Sequence, residues 1–193
     1  YGEATTRNGR YVQGGGCTSV GAAGGFIQGG GFGSFSKKFG TAAAGLLEAQ
    51  VVTAAGEILT VNRFQHPDLF WALRGGGGGT FGVVTRLTLK THELPTNFGL
   101  LQGTITARDD EAFQQLLTTF VSFYRDALNN QHWGEQIAFK ANNSIELYLV
   151  FQGLSRTQAE QVWQPFRAAL DPALFRMDAT FWEIPARKMW DPD

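Results

Sequence analysis

From Phe98 onward the apolar positions switch between two rhythms. Phe98 to Thr106 has the pattern of a strand. Behind Asp109 and Asp110, residues Phe113, Leu116, Leu117, Phe120, Val121 and Tyr124 recur at helical spacing, which predicts a helix with one buried face. Glu135 to Ala141 and Ser144 to Phe151 read as two strands joined across Asn142-Asn143, residues that tolerate left-handed turns. Ser155 caps a second predicted helix whose Ala159, Val162, Trp163, Phe166 and Leu170 share a face, and Leu174 to Trp182 is a final extended run. The order β-α-β-β-α-β fits a compact antiparallel sheet with helices on one side.

The first half of the chain reads differently. Leu46 to Thr53 and Glu57 to Val61 are two extended runs joined across Ala54-Ala55-Gly56, where Gly56 supplies the positive φ of a tight hairpin. Pro67 to Leu73 predicts a short helix, with proline at its first position, Asp68 in its first turn, His66 just before its start and Gly75 at its stop. Gly82 to Thr91 starts apolar and then alternates, as a strand does on leaving a core, and Glu93 to Asn97 reads as the way out of this domain. Two domains follow, residues 1–96 and 97–193.

Composition narrows the chemistry. The 193 residues carry 43% hydrophobic and 17% charged content, enough for a buried core. A net charge of -1 supplies no basic stripe for nucleic acid or an anionic membrane, so neither is an expected partner. No apolar run approaches the roughly 18–20 residues that span a bilayer, and the N-terminus lacks the regions of a signal peptide, which predicts a soluble chain. Cys17 is the single cysteine, and His66, His92 and His132 lie far apart, so neither an internal disulfide nor a metal site is expected. A start at Tyr1-Gly2-Glu3 and an end at Trp190-Asp191-Pro192-Asp193 read as a piece of something longer.

Glycine is the outlier. It clusters at Gly14 to Gly16, Gly24-Gly25, Gly29 to Gly33 and Gly75 to Gly79, as expected where backbone runs close to a large flat or phosphate-bearing ligand. Gly77 to Gly82 formally matches G-x-G-x-x-G, but a helix precedes it and a strand follows, the reverse of a dinucleotide fingerprint. The P-loop pattern fails as well, since Lys37-Lys38 is followed by Phe39. Taken alone, Cys17 reads as a small buried thiol and Gly75 to Gly79 as a flexible turn.

The motifs together say more. Gly14-Gly15-Gly16-Cys17-Thr18-Ser19-Val20-Gly21 through Gly33, then Leu46 to Thr53, Asp68-Leu69-Phe70-Trp71-Ala72-Leu73-Arg74-Gly75-Gly76-Gly77 and Phe81-Gly82-Val83-Val84-Thr85, stand in one order. In that order they resemble the FAD-binding (PCMH-type) domain of the vanillyl-alcohol oxidase superfamily, in its berberine-bridge-enzyme-like branch, over roughly residues 10–95. The resemblance implies an α+β fold: the C-terminal part of the FAD-binding domain, then an antiparallel-sheet substrate domain with helices on one face. It implies FAD as cofactor, with Cys17 on the cysteine that bonds flavin C6, Gly21 and Gly25 passing close to the cofactor, and Gly82 and Val84 offering backbone groups to it. A thiolate suits the cysteine's role because sulfur is a strong, soft nucleophile.

Two departures stand out. Relatives carry glycine-glycine-histidine where this chain has Gly24-Gly25-Phe26, with a residue inserted at Ala22-Ala23, and the upstream half of the cofactor domain, with its attachment histidine, is expected before Tyr1.

By the same resemblance, Tyr148 or Gln152 on the strand Glu146 to Gln152 faces a small-molecule substrate, although polar residues on a solvated strand fit simple alternation equally well. The implied function is an FAD-linked oxidase that removes hydride from an alcohol, sugar or phenolic C–H and passes electrons to oxygen. In relatives the base comes from sequence beyond residue 193, so no catalytic residue is assigned, and relatives with doubly linked flavin are often exported. A dehydrogenase holding FAD noncovalently and a degenerate flavin-binding module are the alternatives.

Overall fold

The computed structural model describes residues 2–15, 17 and 19–189. It divides into two compact units, Tyr1–Leu94 and Pro95–Asp193.

In the first unit a three-stranded antiparallel sheet holds β2 (Leu46–Val52) between β3 (Ile58–Asn62) and β4 (Val83–Leu89). The β2–β3 hairpin turns where expected: Gly56 has φ 77°, and its N–H donates to the Thr53 carbonyl at 3.0 Å. Side chains alternate across this sheet, so Ala49, Val51 and Val61 enter a core with Ile27, Leu46, Phe70 and Leu73. Helix α3 (Pro67–Ala72) starts at Pro67, as predicted, behind His66 in the left-handed region at φ 50°. It brings Phe70 into that core. The segment after it is tied down by Arg74, whose Nε donates to the Ala43 carbonyl at 2.9 Å.

Two short helices, α1 (Gly2–Arg7) and α2 (Ser36–Phe39), and a two-residue ladder of β1 (Arg10–Tyr11) with β5 (His92–Glu93) complete the unit. Local patterning predicts none of these. The ladder joins segments far apart in sequence, where two residues carry no readable period. Arg10 reinforces it, donating from Nε to the Thr91 hydroxyl at 3.0 Å and from Nη2 to the Thr91 carbonyl at 3.1 Å.

The second unit has the predicted β-α-β-β-α-β order. A four-stranded antiparallel sheet runs β7-β8-β6-β9, from β6 (Asn97–Ala107), β7 (Trp133–Lys140), β8 (Ser144–Gln152) and β9 (Phe175–Pro185). Helices α4 (Asp110–Phe123) and α5 (Arg156–Ala169) bury their apolar faces in the core shared by Leu101, Ile105, Ile145, Leu147, Leu149, Phe151 and Phe181. Asp109 caps α4 by accepting from Ala112 N–H at 2.9 Å. Ser155 caps α5 in a reciprocal pair with Gln158, with contacts of 3.2 and 2.8 Å. Trp163 packs edge-on against Phe123 and Phe166, with ring centroids 4.9 and 5.7 Å away. The β7–β8 turn falls at Asn142-Asn143, and Asn143 takes φ 58°.

Candidate functional site

The glycine clusters of the first unit converge. Ala22–Phe26 forms one wide helical turn that begins after Gly21, whose carbonyl accepts from Gly25 and Phe26 N–H at 3.3 and 3.2 Å. The Gly75–Gly79 loop lies against that turn: a Cβ on Gly78 would stand 2.6 Å from the Gly24 oxygen and 3.2 Å from Gly25 Cα. Gly77 N–H donates to the Gln28 carbonyl at 2.9 Å. Gln28 itself is buried, and its Nε2 donates to the carbonyls of Ala23 at 2.6 Å and Gly24 at 3.2 Å. One side chain thus staples the turn while its backbone holds the loop. Its Oε1 has no hydrogen-bond partner among the described residues. No sequence signal marked Gln28, because a lone glutamine among glycines reads as loop.

These glycines divide by cause. Gly78 and Gly82 are required by packing: a Cβ on Gly82 would lie 2.6 Å from the Val52 oxygen, and its φ is 138°. Gly15 and Gly31 make room for the Phe26 ring, each with an added Cβ 3.2 Å from it. Phenylalanine at this departure from the resembled pattern therefore fills a packed slot. Gly24 and Gly25 are different: both are exposed, neither has a positive φ, and a Cβ on either would meet nothing within 4 Å. Gly21 is also exposed, with only the Gly24 nitrogen 4.0 Å from an added Cβ.

Cys17 is exposed rather than a buried thiol, and its carbonyl accepts from Val20 N–H at 3.3 Å. Val84 is half-buried, with its side chain against the core opposite Val51. Since β4 is an edge strand, it pairs with β2 on one side only among the described residues. The sheet's other face carries an apolar row in which half-buried Val52 stands between exposed Ile58 and Val83.

In the second unit the helix-free face of the sheet is graded. At one end, cross-strand register aligns Gly134, Val150, Leu100 and Trp182. The next row is Gln136, Tyr148, Gln102 and Thr180, followed by Ala138, Glu146, Thr104 and Asp178. Tyr148 is 45% exposed on this face and Trp182 48%. Gln152 is fully buried, and its Nε2 donates to the Gln131 carbonyl at 2.9 Å. Its backbone exchanges bonds with His132: Gln152 N–H donates to the His132 carbonyl at 2.9 Å, and His132 Nδ1–H donates to the Gln152 carbonyl at 3.0 Å. His132 is thereby half-buried.

Away from the glycine turn, His92 stacks on Phe39 at 4.5 Å, and Phe39 on Tyr11 at 4.9 Å. Burial, and then the cations Lys90, Arg10 and Lys38, hold the His92 imidazole below its usual range. Among the described residues no group of three or more His, Cys, Asp or Glu is placed to hold a metal ion, and no helix is long and apolar enough to cross a membrane.

No protein-family model matches the chain. It is 37% identical over 184 residues to the FAD-linked oxidoreductase ZEB1 of Gibberella zeae, covering 94% of this chain and 32% of that protein. The chain is homologous to part of the FAD-linked oxidoreductases. Its fold is that of a VAO-type flavoprotein: it superposes on MtVAO615 of Myceliophthora thermophila with a TM-score of 0.84 and 29% identity, over 98% of this chain and 35% of that one. It is also similar to the glucooligosaccharide oxidase of Acremonium strictum, with a TM-score of 0.73 and 25% identity over 92% of this chain and 36% of that one. The chain spans about a third of the length of these relatives. The resemblance read from the sequence, including its α+β fold, is borne out.

Proposed function

We propose that this chain supplies one wall of an FAD site and part of the substrate-facing sheet of an oxidase acting on an alcohol, sugar or phenolic C–H. The observation that carries this reading is Gly24-Gly25. Glycine in a helical turn costs about 1 kcal/mol each relative to alanine. Here no steric or φ requirement offsets that cost within the described fold. A bare, exposed turn held in place by Gln28 and the Gly75–Gly79 loop is the cradle that a planar ring system or an extended dinucleotide backbone would occupy.

Held there by these residues, FAD would supply a hydride acceptor for the substrate carbon, with oxygen as the onward electron acceptor. The chain's own residues bind and orient. Gly21 and Gly25 present unshielded backbone, and Gly82 and Val84 offer backbone groups at the start of β4, a strand in contact with the Ala22–Phe26 turn. Cys17 offers an exposed thiol on a glycine-flanked loop, able to act as a nucleophile toward the ring edge. The Acremonium strictum oxidase carries 6-S-cysteinyl, 8α-N1-histidyl FAD, and in this chain Cys17 is the single residue able to make such a thioether.

On the second unit, Tyr148 is the substrate contact that the graded face supports. It stands in a row of hydrogen-bonding side chains, with Trp182 in the next row on the far side of β6, an arrangement suited to hydroxyls on an apolar ring. Gln152 supports the site differently, by fixing the strand end to the Gln131–His132 segment.

The test is acid denaturation of the full-length protein. Flavin absorbance that stays with the polypeptide, and loses its cysteinyl spectral signature in Cys17→Ser, is the expected result. Complete release of flavin from the wild type would replace this reading with a noncovalent dehydrogenase, and full-length protein with no flavin would make the chain a degenerate module.

A further inference from the structure

Among the motifs that the flavin reading leaves unused, one is joined to a specific geometry. Asn142-Asn143-Ser144 is an N-x-Ser sequence, and it forms the turn between β7 and β8. The two asparagines have opposite environments. Asn143 is drawn inward: it takes φ 58°, its Nδ2 donates to Asp110 Oδ1 at 2.8 Å, and its carbonyl accepts from Ala107 N–H at 2.8 Å. Asn142 points out and is exposed, and its Nδ2 has no hydrogen-bond partner among the described residues. The Ser144 hydroxyl donates to Asn142 Oδ1 at 2.7 Å. A donor on the carboxamide oxygen draws electron density from the nitrogen and makes its N–H easier to deprotonate, which is what an amide needs to act as a nucleophile.

We propose that Asn142 is an N-glycosylation site, and hence that the full-length protein passes through the secretory pathway. The co-reactant is a lipid-diphosphate-linked oligosaccharide. Asn142 Nδ2 forms a bond to the sugar's anomeric carbon, the bond from that carbon to the diphosphate oxygen breaks, the lipid diphosphate leaves, and Nδ2 gives up one proton.

The location suits a bulky substituent. Thr106 pairs with Ser144, while Asn97 begins the same strand β6 at its other end, roughly 30 Å away at about 3.3 Å per residue. A glycan therefore sits at the polar end of the sheet, beside Lys140 and Arg176, and away from the row of Leu100, Val150 and Trp182. Because Asn143 is anchored to Asp110 and Ala107, the turn holds its shape and keeps the glycan directed outward.

The experiment is glycopeptide mass spectrometry on the full-length protein from its native host, following the tryptic peptide Ala141–Arg156. The expected result is a glycan on Asn142, released by peptide-N-glycosidase with conversion to aspartate and one heavy oxygen gained in heavy-oxygen water. Asn142→Gln and Ser144→Ala each abolish occupancy, and Ser144→Thr keeps it while holding the polar turn contact. A bare Asn142 in the native protein, whether secreted or retained in the cell, overturns the proposal, as does occupancy that survives Ser144→Ala.

Discussion

Replacing Gly25 by alanine separates what the fold needs from what the site needs. An added methyl there meets nothing within 4 Å, and the backbone lies outside the positive-φ range. Alanine removes unfolded-state freedom and raises helical propensity, stabilising the unit by about 0.4–1 kcal/mol. For a unit of this size 1 kcal/mol moves Tm by roughly 4–8 °C, so Gly25→Ala raises Tm by about 2–8 °C in calorimetry of apoprotein. The same methyl projects into the cradle and lowers flavin retention, read as the ratio of flavin to protein absorbance in the purified full-length enzyme. Gly78→Ala is the control: its methyl would stand 2.6 Å from the Gly24 carbonyl oxygen, so it loses stability and flavin together. The reasoning is refuted if Gly25→Ala binds flavin as fully as the wild type, because the bare turn then has no ligand to explain it. It is equally refuted if Gly25→Ala is destabilised, because the fold itself then requires glycine.

Three further outcomes follow from the packing. Ser155→Ala removes the hydroxyl that accepts from Gln158 N–H, leaving the backbone N–H of residue 155 to donate to Gln158 Oε1, and costs about 1 kcal/mol, measured by urea unfolding; an unchanged midpoint would show the cap to be idle. Gly82→Ala places a methyl 2.6 Å from the Val52 oxygen at φ 138° and destabilises the β2–β4 pairing by about 1–3 kcal/mol, with no gain possible from propensity; a Tm at or above wild type would contradict this. His92 has a folded-state pKa below its usual 6.5, so the folded state binds its proton less readily than the unfolded chain does. Its stability contribution is complete above 6.5 and is lost as pH falls below that value toward the folded pKa. His92→Gln therefore flattens the acid side of a Tm-against-pH curve, and an unaltered slope would remove His92 from that account.

Legibility in the sequence followed the range of the interactions. The second unit was readable because its signals are local: helical spacing from Phe113 to Tyr124, the Ser155 cap, and asparagines at a turn where Asn143 takes a left-handed conformation. The β2–β3 hairpin was readable through Gly56 for the same reason. What escaped depends on distant partners. The β1–β5 ladder joins Arg10 to Glu93, and Gln28 matters because the Gly75–Gly79 loop returns to it. Alternation also fits Gln152 to a solvated face, yet the residue is fully buried and its Nε2 donates to the Gln131 carbonyl, a partner distant in sequence. For the cofactor surface the sequence identified the glycines, but their different causes, clash at Gly78 and Gly82 against open space at Gly24 and Gly25, exist only in three dimensions.

The sheet of the second unit pairs its first strand with its last, Asn97 opposite Pro185. Its two ends are therefore separated by about one inter-strand spacing, roughly 5 Å. The segment 97–185 therefore enters and leaves this sheet at neighbouring points, so it can be exchanged for the corresponding segment of a relative with two adjacent splice points. Such grafts would move the graded face and its Trp182 as a block.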